Sequence, residues 1–423
     1  MTLFFRAVLI DSFVIGEYDK IIEQWNRRNR MDTRKLRNLF MEAFGREPEF
    51  YAAAPGRTEI GGNHTDHQHG CVLAAAVNLV TEAAVAKNGR KEIRVLSEGY
   101  APLSISLDDL SVKPEEYGKT SSLIRGICDK FIRLGHVINT GFDAVVTSTV
   151  LPGSGLSSSA AFEVMIGNVI NHLYANDSAS DVDIAIFSQY AENVHFGKPC
   201  GLMDQMASSV GGIIGIDFKD EMPMIQRISF SFREHGYALC IIDSGADHAN
   251  LTDEYAAIPF EMNSIARLFG KEFLRDVDED EFMMRISEAR QECGDRAVLR
   301  AMHFFAENRR VEQEIGSLIN NDIRSFLNIV NESGRSSWNL LQNVVAAGEK
   351  RNQHMAVALA CADRLLAGEG AYRVHGGGFA GTIQAFVPLT CLEHFRTEMD
   401  RILGDGSCHV LDIRADGGII LPA

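Results

Sequence analysis

Hydrophobic and polar residues recur along the chain either at the spacing of a helix or at that of a strand. The changes from one spacing to the other predict where its helices and strands lie. Residues 20–45 place apolar side chains at helical spacing among many charges, which predicts one or two amphipathic helices. Residues 55–70 are rich in Pro, Gly and His and predict a loop. The segments that follow are apolar or alternating, as strands are: CVLAAAVNLV, EAAVAKN, KEIRVLSEG and FDAVVTSTV.

Helical periodicity then returns. AFEVMIGNVINHLYA and DVDIAIFSQYAENVH each predict a helix, YALCIIDSG predicts a buried strand, and helical patterns fill residues 255–366. AYRVHGGGFAGTIQAFV predicts two strands joined by a glycine turn, and residues 390–403 predict a last amphipathic helix. Because strands and helices are mixed without strict alternation, the pattern favours an α+β fold over a doubly wound α/β fold.

Length and charge narrow the class of protein. A chain of 423 residues is too long for one ordinary core, so we expect two domains, 1–220 and 221–423, divided where FKDEMPM separates two strand-like runs. Its 46% hydrophobic and 23% charged residues are typical of soluble globular proteins. The net charge of −16 disfavours nucleic acid and anionic membranes as partners.

The sequence also bears on location. MTLFFRAVLID is apolar for only a few residues and shows no cleavage site, and no apolar run is long enough to span a membrane. The eight cysteines are scattered, without a CxxC pair, and most lie in apolar runs. These features predict buried, reduced thiols in a cytoplasmic protein.

The stretch LPGSGLSSSAAFEV combines a glycine-rich turn, three consecutive serines and the start of a helix. The free amides at a helix N-terminus attract anions, glycines allow the backbone to approach a phosphate, and serine hydroxyls can bind phosphate or a hard cation such as Mg²⁺. A single serine would suffice as an ordinary helix cap, so three behind G-x-G favour phosphate binding. The absence of GK[ST] excludes a Walker loop.

Two carboxylates follow this stretch along the chain. Asp204 stands in the mostly apolar GKPCGLMDQMASSVGG, where it is either a structural cap or a positioned base. Glu192 lies near the end of the preceding helical pattern, where it is either a solvated charge or a magnesium ligand. Spacing alone does not choose between these alternatives.

Two glycine-rich stretches remain. RVHGGGFAG predicts either close approach to a ligand or plain chain packing. GGNHTDHQHG holds three histidines and an aspartate, which would suit a metal, but Arg57 and Glu59 lie just upstream. Because a cation beside a metal is unusual, this mixture favours a polyhydroxyl ligand over zinc.

Taken in order, APGRTEIGGNHTDH, LPGSGLSSSAAFEV, CGLMDQ and GGGFAG resemble the motifs of the GHMP small-molecule kinases, most closely the galactokinases. The resemblance covers nearly the whole chain after an extension of about thirty residues. It implies two α+β domains with the active site in the cleft between them. It also implies an ATP- and Mg²⁺-dependent kinase that phosphorylates the C1 hydroxyl of galactose, with small molecules as partners, as a monomer or weak homo-oligomer.

The resemblance implies a role for each matching residue. Asp204 would accept the proton of the anomeric hydroxyl, and Arg57 would stabilise both this aspartate and the transferring phosphoryl group. Ser159 and Glu192 would bind magnesium, and Ser97 would contact adenosine. The loop around the ATP phosphates would comprise Gly153, Ser154, Gly155, Leu156, Ser157, Ser158 and Ser159. The sugar would contact Asn63, His64, Thr65, Asp66, Gly201 and Tyr255.

The chain departs from the family pattern G-R-x-N-x-I-G-E-H-x-D-Y at four positions. Glu59 replaces Asn, Gly61 replaces Ile, Asn63 replaces Glu, and His67 replaces Tyr, while Ala380 replaces a glycine of the last motif. In the family the Glu contacts the C6 hydroxyl, and Asn63 would repel a C6 carboxylate far less. One alternative to a galactose kinase is therefore a kinase of a related sugar such as galacturonate. Since some galactokinase relatives bind ATP and galactose but act as regulators, a second alternative is a non-catalytic sensor of galactose and ATP.

Overall fold

The computed structural model describes residues 31–150, 155–246 and 251–423. Its strands are β1 (Phe50–Gly61), β2 (Cys71–Lys87), β3 (Glu92–Ser97), β4 (Leu103–Ser106), β5 (Phe142–Ser148), β6 (Ile213–Asp217), β7 (Met224–Ile228), β8 (Tyr237–Asp243), β9 (Ala371–Val374), β10 (Thr382–Pro388), β11 (Cys408–Leu411) and β12 (Ile419–Pro422). They form one sheet of eight strands and one of four.

The α-helices are α1 (Thr33–Phe44), α2 (Thr120–Arg133), α3 (Ser158–Tyr174), α4 (Asp181–Tyr190), α5 (Met203–Val210), α6 (Thr252–Leu268), α7 (Glu279–Met284), α8 (Ile286–Cys293), α9 (Asp295–Ile319), α10 (Ile323–Ser336), α11 (His354–Leu366) and α12 (Leu392–Leu403). Two π-helical turns, Ala191–Phe196 and Ser337–Leu341, extend α4 and α10. In the described part of the chain, no helix combines the length and apolarity that crossing a membrane requires.

The larger sheet has the order β12-β1-β2-β5-β3-β4, and β6 and β7 continue it from the other half of β2. Its pairs are antiparallel except for β3 with β5. Helices α2, α3 and α4 cover one face with a core of aliphatic and Phe side chains, and α1 packs on the opposite face. The smaller, antiparallel sheet has the order β11-β8-β10-β9, and α11 and α12 cover one of its faces.

One hydrophobic core joins the two sheets. It includes Ile60 and Leu73 of the larger sheet, Ile241 and Phe386 of the smaller one, and Val311 of α9. Because both sheets bury side chains in this shared core, the loops at their common edge are held in fixed positions. Those loops carry most of the polar residues that the sequence singled out.

Two sequence-based predictions of local structure were wrong. The predicted loop 55–70 begins later, because β1 continues to Gly61 by pairing with β2 through register shifts after Pro55 and Glu59. Proline is tolerated in a strand where pairing is irregular. The two strands predicted from CVLAAAVNLV and EAAVAKN are one strand of 17 residues, in which the polar Thr81 and Glu82 are buried and paired.

The mixed α+β architecture is confirmed, as are the remaining predicted strands and the helices over 158–174, 181–196 and 392–403. The amphipathic pattern of residues 20–45 gives α1, and its part before residue 31 lies outside the described residues. The helical region 255–366 is broken into several helices by turns.

The predicted division at residue 220 falls at the tip of the β6–β7 hairpin, inside the larger sheet. The chain enters the smaller sheet at Tyr237, and β12 returns to pair with β1. A division between β7 and β8 therefore keeps paired strands together, and we propose residues 229–236 as the boundary.

A buried carboxyl group lies against Gly61, one of the departures from the family pattern. Glu314 of α9 is fully buried, and in the described structure neither of its carboxyl oxygens has a hydrogen-bond partner. A β-carbon at Gly61 would overlap this carboxyl group, so the two positions share one space. Burial, followed by the charge of Glu307, raises the pKa of Glu314 well above its ordinary value.

We expect Glu314→Leu to increase the free energy of unfolding by about 1–3 kcal/mol, because it removes a desolvated group without partners. The unfolded chain ionises Glu314 near its ordinary pKa while the folded protein keeps it protonated, so the wild type loses stability as pH rises above about 4.5. The gain should therefore be larger at pH 8 than at pH 5. Urea unfolding measures it, with the exposed neighbour Glu312→Leu as control; equal gains at both pH values would contradict the prediction.

Candidate active site

An arginine and an aspartate from distant parts of the chain meet at the edge of the larger sheet. Arg57 of β1 donates from Nε to Asp204 Oδ1 at 2.6 Å and from Nη2 to Oδ2 at 2.8 Å. Asp204 lies in the first turn of α5, where a negative charge complements the helix dipole. Burial raises the pKa of Asp204, but the charge and hydrogen bonds of Arg57 outweigh it and hold the pKa below its ordinary value. The carboxylate is therefore ionised at neutral pH.

The serine-rich turn is attached to this pair. Arg57 donates from Nη1 to the carbonyl oxygen of Gly155, and its backbone N–H donates to Leu156 O at 3.0 Å. Ser157, in the left-handed region at φ 54°, donates its hydroxyl to Asp204 Oδ2. Helix α3 begins at Ser158, so its N-terminus points towards the ion pair. Gly153 and Ser154 lie outside the described residues.

A cavity of about 920 Å³ adjoins the ion pair: Arg57 lines it, and Asp204 directly follows the lining residue Met203. Its walls come from the turn after β1, the loop before α5, the β6–β7 hairpin and α6. The predicted ligand-contacting residues among its lining are Arg57, Asn63, His64, Asp66, Gly201 and Tyr255. Asp66 and Gly201 face each other so closely that a β-carbon at Gly201 would overlap the Asp66 carboxylate. Glycine is therefore required at position 201 for the observed placement of Asp66.

The turn after β1, residues 62–70, is here called the histidine loop. His64, at φ 60°, donates from Nε2 to the carbonyl oxygen of Gly377 at 3.0 Å, so its Nδ1 accepts from His67 Nε2 at 3.3 Å. The chain of contacts continues to Gln68, whose amide donates to His67 Nδ1 at 3.4 Å. Burial lowers the pKa of His64 to about 3 and that of His67 to about 4. Both rings are neutral at pH 7, and their tautomers are fixed by this chain.

Two loop residues have their polar groups occupied by the protein itself. The Asn63 amide nitrogen donates to Glu59 at 3.0 Å and to Gly376 O at 2.7 Å, and its oxygen accepts from Asn343 at 2.8 Å. Thr65 was predicted to contact the ligand, but it is fully buried and absent from the cavity lining. Its hydroxyl contacts the carbonyl oxygen of Gly62, which begins the loop, and that of Cys71, which follows it. A buried hydroxyl needs such a partner.

Helix α9 holds the histidine loop from the other side. The Glu307 carboxylate accepts from the backbone N–H groups of residues 62 and 63 at 3.3 Å each and from the Ser333 hydroxyl at 2.6 Å. His303 Nε2 donates to the carbonyl oxygen of Asn63 at 2.9 Å. Burial raises the pKa of Glu307, but nearby positive charge, mainly that of Arg310, outweighs burial and lowers the pKa to about 2. The loop is therefore fixed by a helix from the second half of the chain.

A second tie between the halves is a buried ion pair. Arg373 of β9 is fully buried and donates to Glu59 Oε1 at 2.6 Å and to the carbonyl oxygen of Ile60. Glu59 replaces the family Asn at this position. Burial raises the pKa of Glu59 to about 7 although Arg373 opposes the shift. Arg373 of β9, in the smaller sheet, thus supplies a positive charge that matches the replacement of Asn by Glu59.

A second cavity of about 460 Å³ lies on the far side of the start of α3. Its lining is mixed aliphatic, aromatic and hydroxyl-bearing, and includes Ser97, Ser158, Ser159, Phe162 and Tyr100. The helix N-terminus therefore lies between the two cavities. Ser158 and Ser159 of the predicted phosphate loop line this second cavity, as does Ser97. Gly155, Leu156 and Ser157 of the same loop contact the Arg57–Asp204 pair.

Glu192 belongs to a buried polar cluster that includes a residue of α3, the helix that carries Ser159. Gln205 Nε2 donates to Glu192 Oε2 at 2.8 Å and to Glu163 Oε2 at 3.1 Å, and Glu163 lies one helical turn after Ser159. Glu192 Oε1 also pairs with Lys198 Nζ at 3.2 Å. Among the described residues, no group of three or more His, Cys, Asp or Glu side chains is arranged to hold a metal by itself.

Sequence reasoning missed the residues that support the site from α9 and β9, as well as Lys198 in the cavity lining. The signal for α9 was present: His303, Glu307 and Glu314 recur at helical spacing among apolar positions, where charges are rarely buried without partners. For Lys198 the signal was its position six residues after Glu192 and six before Asp204.

Comparison with known proteins agrees with this geometry. The family model described as Galactokinase galactose-binding signature matches residues 38–87, and the GHMP kinases N terminal domain matches residues 122–212. A galactokinase of Actinobacillus pleuropneumoniae serotype 5b (strain L20) is 32% identical over 377 residues, which cover 86% of this chain and 91% of the relative. A galactokinase of Glaesserella parasuis serovar 5 (strain SH0165) is 32% identical over 371 residues, covering 84% and 90%.

Solved structures share the fold. The Lactococcus lactis galactokinase complexed with galactose superposes with a TM-score of 0.79 at 22% identity, covering 91% of this chain and 98% of that one. A mevalonate kinase of Methanococcus jannaschii gives a TM-score of 0.60 at 14% identity, covering 86% and 98%. The fold and the matched N-terminal domain are those of a GHMP kinase. Within that class, the identity to curated relatives over most of the chain shows that this protein belongs to the galactokinase family.

The neutral histidines predict a pH dependence of stability. The unfolded chain protonates His67 near pH 6.5, whereas the folded protein does so only near pH 4, so stability is lost as pH falls from about 6.5 to 4. At pH 5 this one group accounts for about 2 kcal/mol. We expect His67→Gln to reduce the difference in unfolding free energy between pH 7 and pH 5 by up to that amount. Urea unfolding at both pH values tests this, and the exposed His354→Gln should leave the difference unchanged.

Proposed function

We propose that the protein transfers the γ-phosphoryl group of ATP to the C1 hydroxyl of galactose, giving galactose 1-phosphate and ADP. The observation that carries the proposal is the Arg57–Asp204 pair, whose arginine lines the larger cavity, with the serine turn and the N-terminus of α3 attached to it. Both curated relatives are galactokinases, and their identity extends over most of this chain.

The chemistry follows from the charges at the pair. Asp204 accepts the proton of the C1 hydroxyl while the sugar oxygen bonds to the γ-phosphorus and the bond to the β–γ bridging oxygen breaks. A carboxylate with a low pKa is a weak base, so its main task is to orient the hydroxyl and receive the proton late in the transfer. That is sufficient, because phosphoryl transfer depends more on alignment and charge stabilisation than on removal of the proton.

The substrates would occupy the two cavities on either side of the α3 N-terminus. The sugar would lie in the larger one, against His64, Asp66, Gly201 and Tyr255, where its hydroxyl groups find the Asp66 carboxylate and backbone groups as partners. The nucleotide base would lie in the second cavity near Ser97, and the phosphates would reach over the serine turn to the ion pair.

We further propose that Ser159 and Glu192 hold the magnesium ion that accompanies ATP. A serine hydroxyl and a carboxylate are hard oxygen donors of the kind Mg²⁺ prefers, and Mg²⁺ usually takes few protein ligands beside substrate phosphates. The bound ion would neutralise phosphate charge. We also propose a cytoplasmic location, in agreement with eight cysteines that are all free thiols.

The alternative of a galacturonate kinase is not favoured. It rested on Asn63 meeting the C6 end of the sugar, but the Asn63 amide is already hydrogen-bonded to Glu59, Gly376 and Asn343. The alternative of a non-catalytic sensor requires loss of the catalytic pair, and Arg57 and Asp204 form a complete bidentate contact.

Asp204→Asn should lower kcat for galactose by about 10²–10⁴-fold, because the amide cannot accept the hydroxyl proton. Release of ADP in the presence of ATP, Mg²⁺ and galactose measures the effect, and calorimetry with galactose checks that the sugar still binds. Asp108→Asn makes the same chemical change at an exposed position outside both cavity linings and should leave kcat within about twofold. A wild type that is silent across a panel of hexoses would refute the proposed function.

Gly201→Ala tests the placement of Asp66. The added methyl group would overlap the Asp66 carboxylate, so we expect KM for galactose to rise about tenfold or more while KM for ATP stays within about twofold. Gly316→Ala is a suitable control, because a β-carbon there has no neighbour within 4 Å. Unchanged KM for galactose in the Gly201 variant would argue against sugar binding at Asp66.

A further inference from the structure

Positive charge is scarce along the path that a triphosphate must take. Among the described residues lining the larger cavity, Arg57 and Lys198 are the basic side chains, beside the acidic Glu59, Asp66 and the hairpin-tip residues 220 and 221. The lining of the second cavity contains no Lys or Arg in the described part of the chain. A nucleotide triphosphate brings several negative charges into a chain whose net charge is already −16. The few cations present therefore matter for both binding and transfer.

Arg57 is already committed to protein partners. Its Nε and Nη2 bind Asp204 and its Nη1 binds Gly155 O, and only 8% of its side chain is exposed. It retains few N–H groups for a phosphate. Because the Arg57 guanidinium is buried and makes two charged hydrogen bonds to Asp204, Arg57 cannot move freely towards a ligand.

Lys198 has the opposite character. It follows the π-helical turn that carries Glu192, and Gly197 at φ 78° turns the chain there so that the Lys198 N–H donates to Glu192 O at 3.1 Å. The backbone is thus held, while 64% of the side chain is exposed, with its ammonium group 3.2 Å from Glu192 Oε1. A flexible four-carbon stem from a fixed backbone can reach a ligand in the cavity.

The ion pair joins an exposed lysine to a buried carboxylate, since 64% of the Lys198 side chain but only 5% of the Glu192 side chain is exposed. Lys198 can therefore leave for a phosphate oxygen provided that Glu192 keeps other partners. Glu192 would not be left without a partner, since its other oxygen accepts from Gln205 at 2.8 Å and contacts the Cys200 thiol at 3.3 Å. Glu192 is also the proposed magnesium ligand, and that role would free the lysine.

We propose that Lys198 is a catalytic residue that leaves Glu192 on nucleotide binding and contacts the transferring phosphoryl group. This inference rests on the proposed function. As the sugar oxygen bonds to the γ-phosphorus, the bond to the bridging oxygen breaks, its electron pair departs with ADP and the hydroxyl proton passes to Asp204. Lys198 keeps its proton and stabilises charge on the phosphoryl oxygens and the leaving group.

The test compares Lys198→Met, Lys198→Arg and the control Lys219→Met. Lys219 is exposed beside the cavity mouth but does not line the cavity, so it gives the same change in net charge. Dissociation constants for ATP and for ADP are measured by calorimetry with magnesium but without galactose, which reports the γ-phosphate contact independently of turnover. Kinetics with galactose follow, and galactose binding confirms that each variant is folded.

We expect Lys198→Met to weaken ATP binding about tenfold and ADP binding by less than about twofold, because only ATP carries the contacted phosphate. Its kcat should fall about 10²-fold with KM for galactose nearly unchanged, and Lys198→Arg should recover part of both losses. Equal effects on ATP and ADP, or effects no larger than those of Lys219→Met, would overturn the proposal. If wild type phosphorylates no hexose but the ATP–ADP difference holds, the proposed function fails and the Lys198 contact stands.

Discussion

The site depends on the ion pair between Arg57, which is buried, and Asp204, which is partly exposed. The two residues come from strand β1 and the first turn of α5, and their bidentate contact fixes those two elements relative to each other. The same guanidinium holds the serine turn through Gly155. One arginine thus sets the distance between the group that would activate the acceptor and the turn that would carry the donor. Because the Arg57 guanidinium is buried, removing its carboxylate partner is costly.

The second constraint is polar and links the two halves of the chain. The shared hydrophobic core brings the sheets together but does not specify the path of the histidine loop, since apolar contacts are not directional. Direction comes from Glu307, His303 and Arg373, which bind backbone groups or Glu59 of the first half. These contacts explain why the loop is ordered although several of its residues depart from the family pattern.

The departures from the family pattern are matched by neighbouring groups. Glu59 has Arg373 as its partner, and Asn63 bonds Glu59 on one side and Asn343 on the other. Gly61 makes room for the Glu314 carboxyl group. The loop has therefore been rebuilt beneath the cavity, while Asp66 and His64 still line it. The cavity can therefore bind the same sugar although different residues support the loop beneath it.

The mixed α+β class, the order of the motifs and their resemblance to one family could be predicted from the residues alone, because periodicity and short glycine–serine patterns are local properties. The same motifs also singled out Arg57 and Asp204, although 147 positions separate them. The folded chain was needed to show that β1 continues through Pro55 and that Thr65 is buried. It also showed that the Asn63 amide makes its hydrogen bonds to other groups of the protein. It likewise showed that α9 supports the loop and that Lys198 faces the cavity. These facts depend on which distant groups become neighbours, and pairing across a fold is not written in the spacing of residues along the chain.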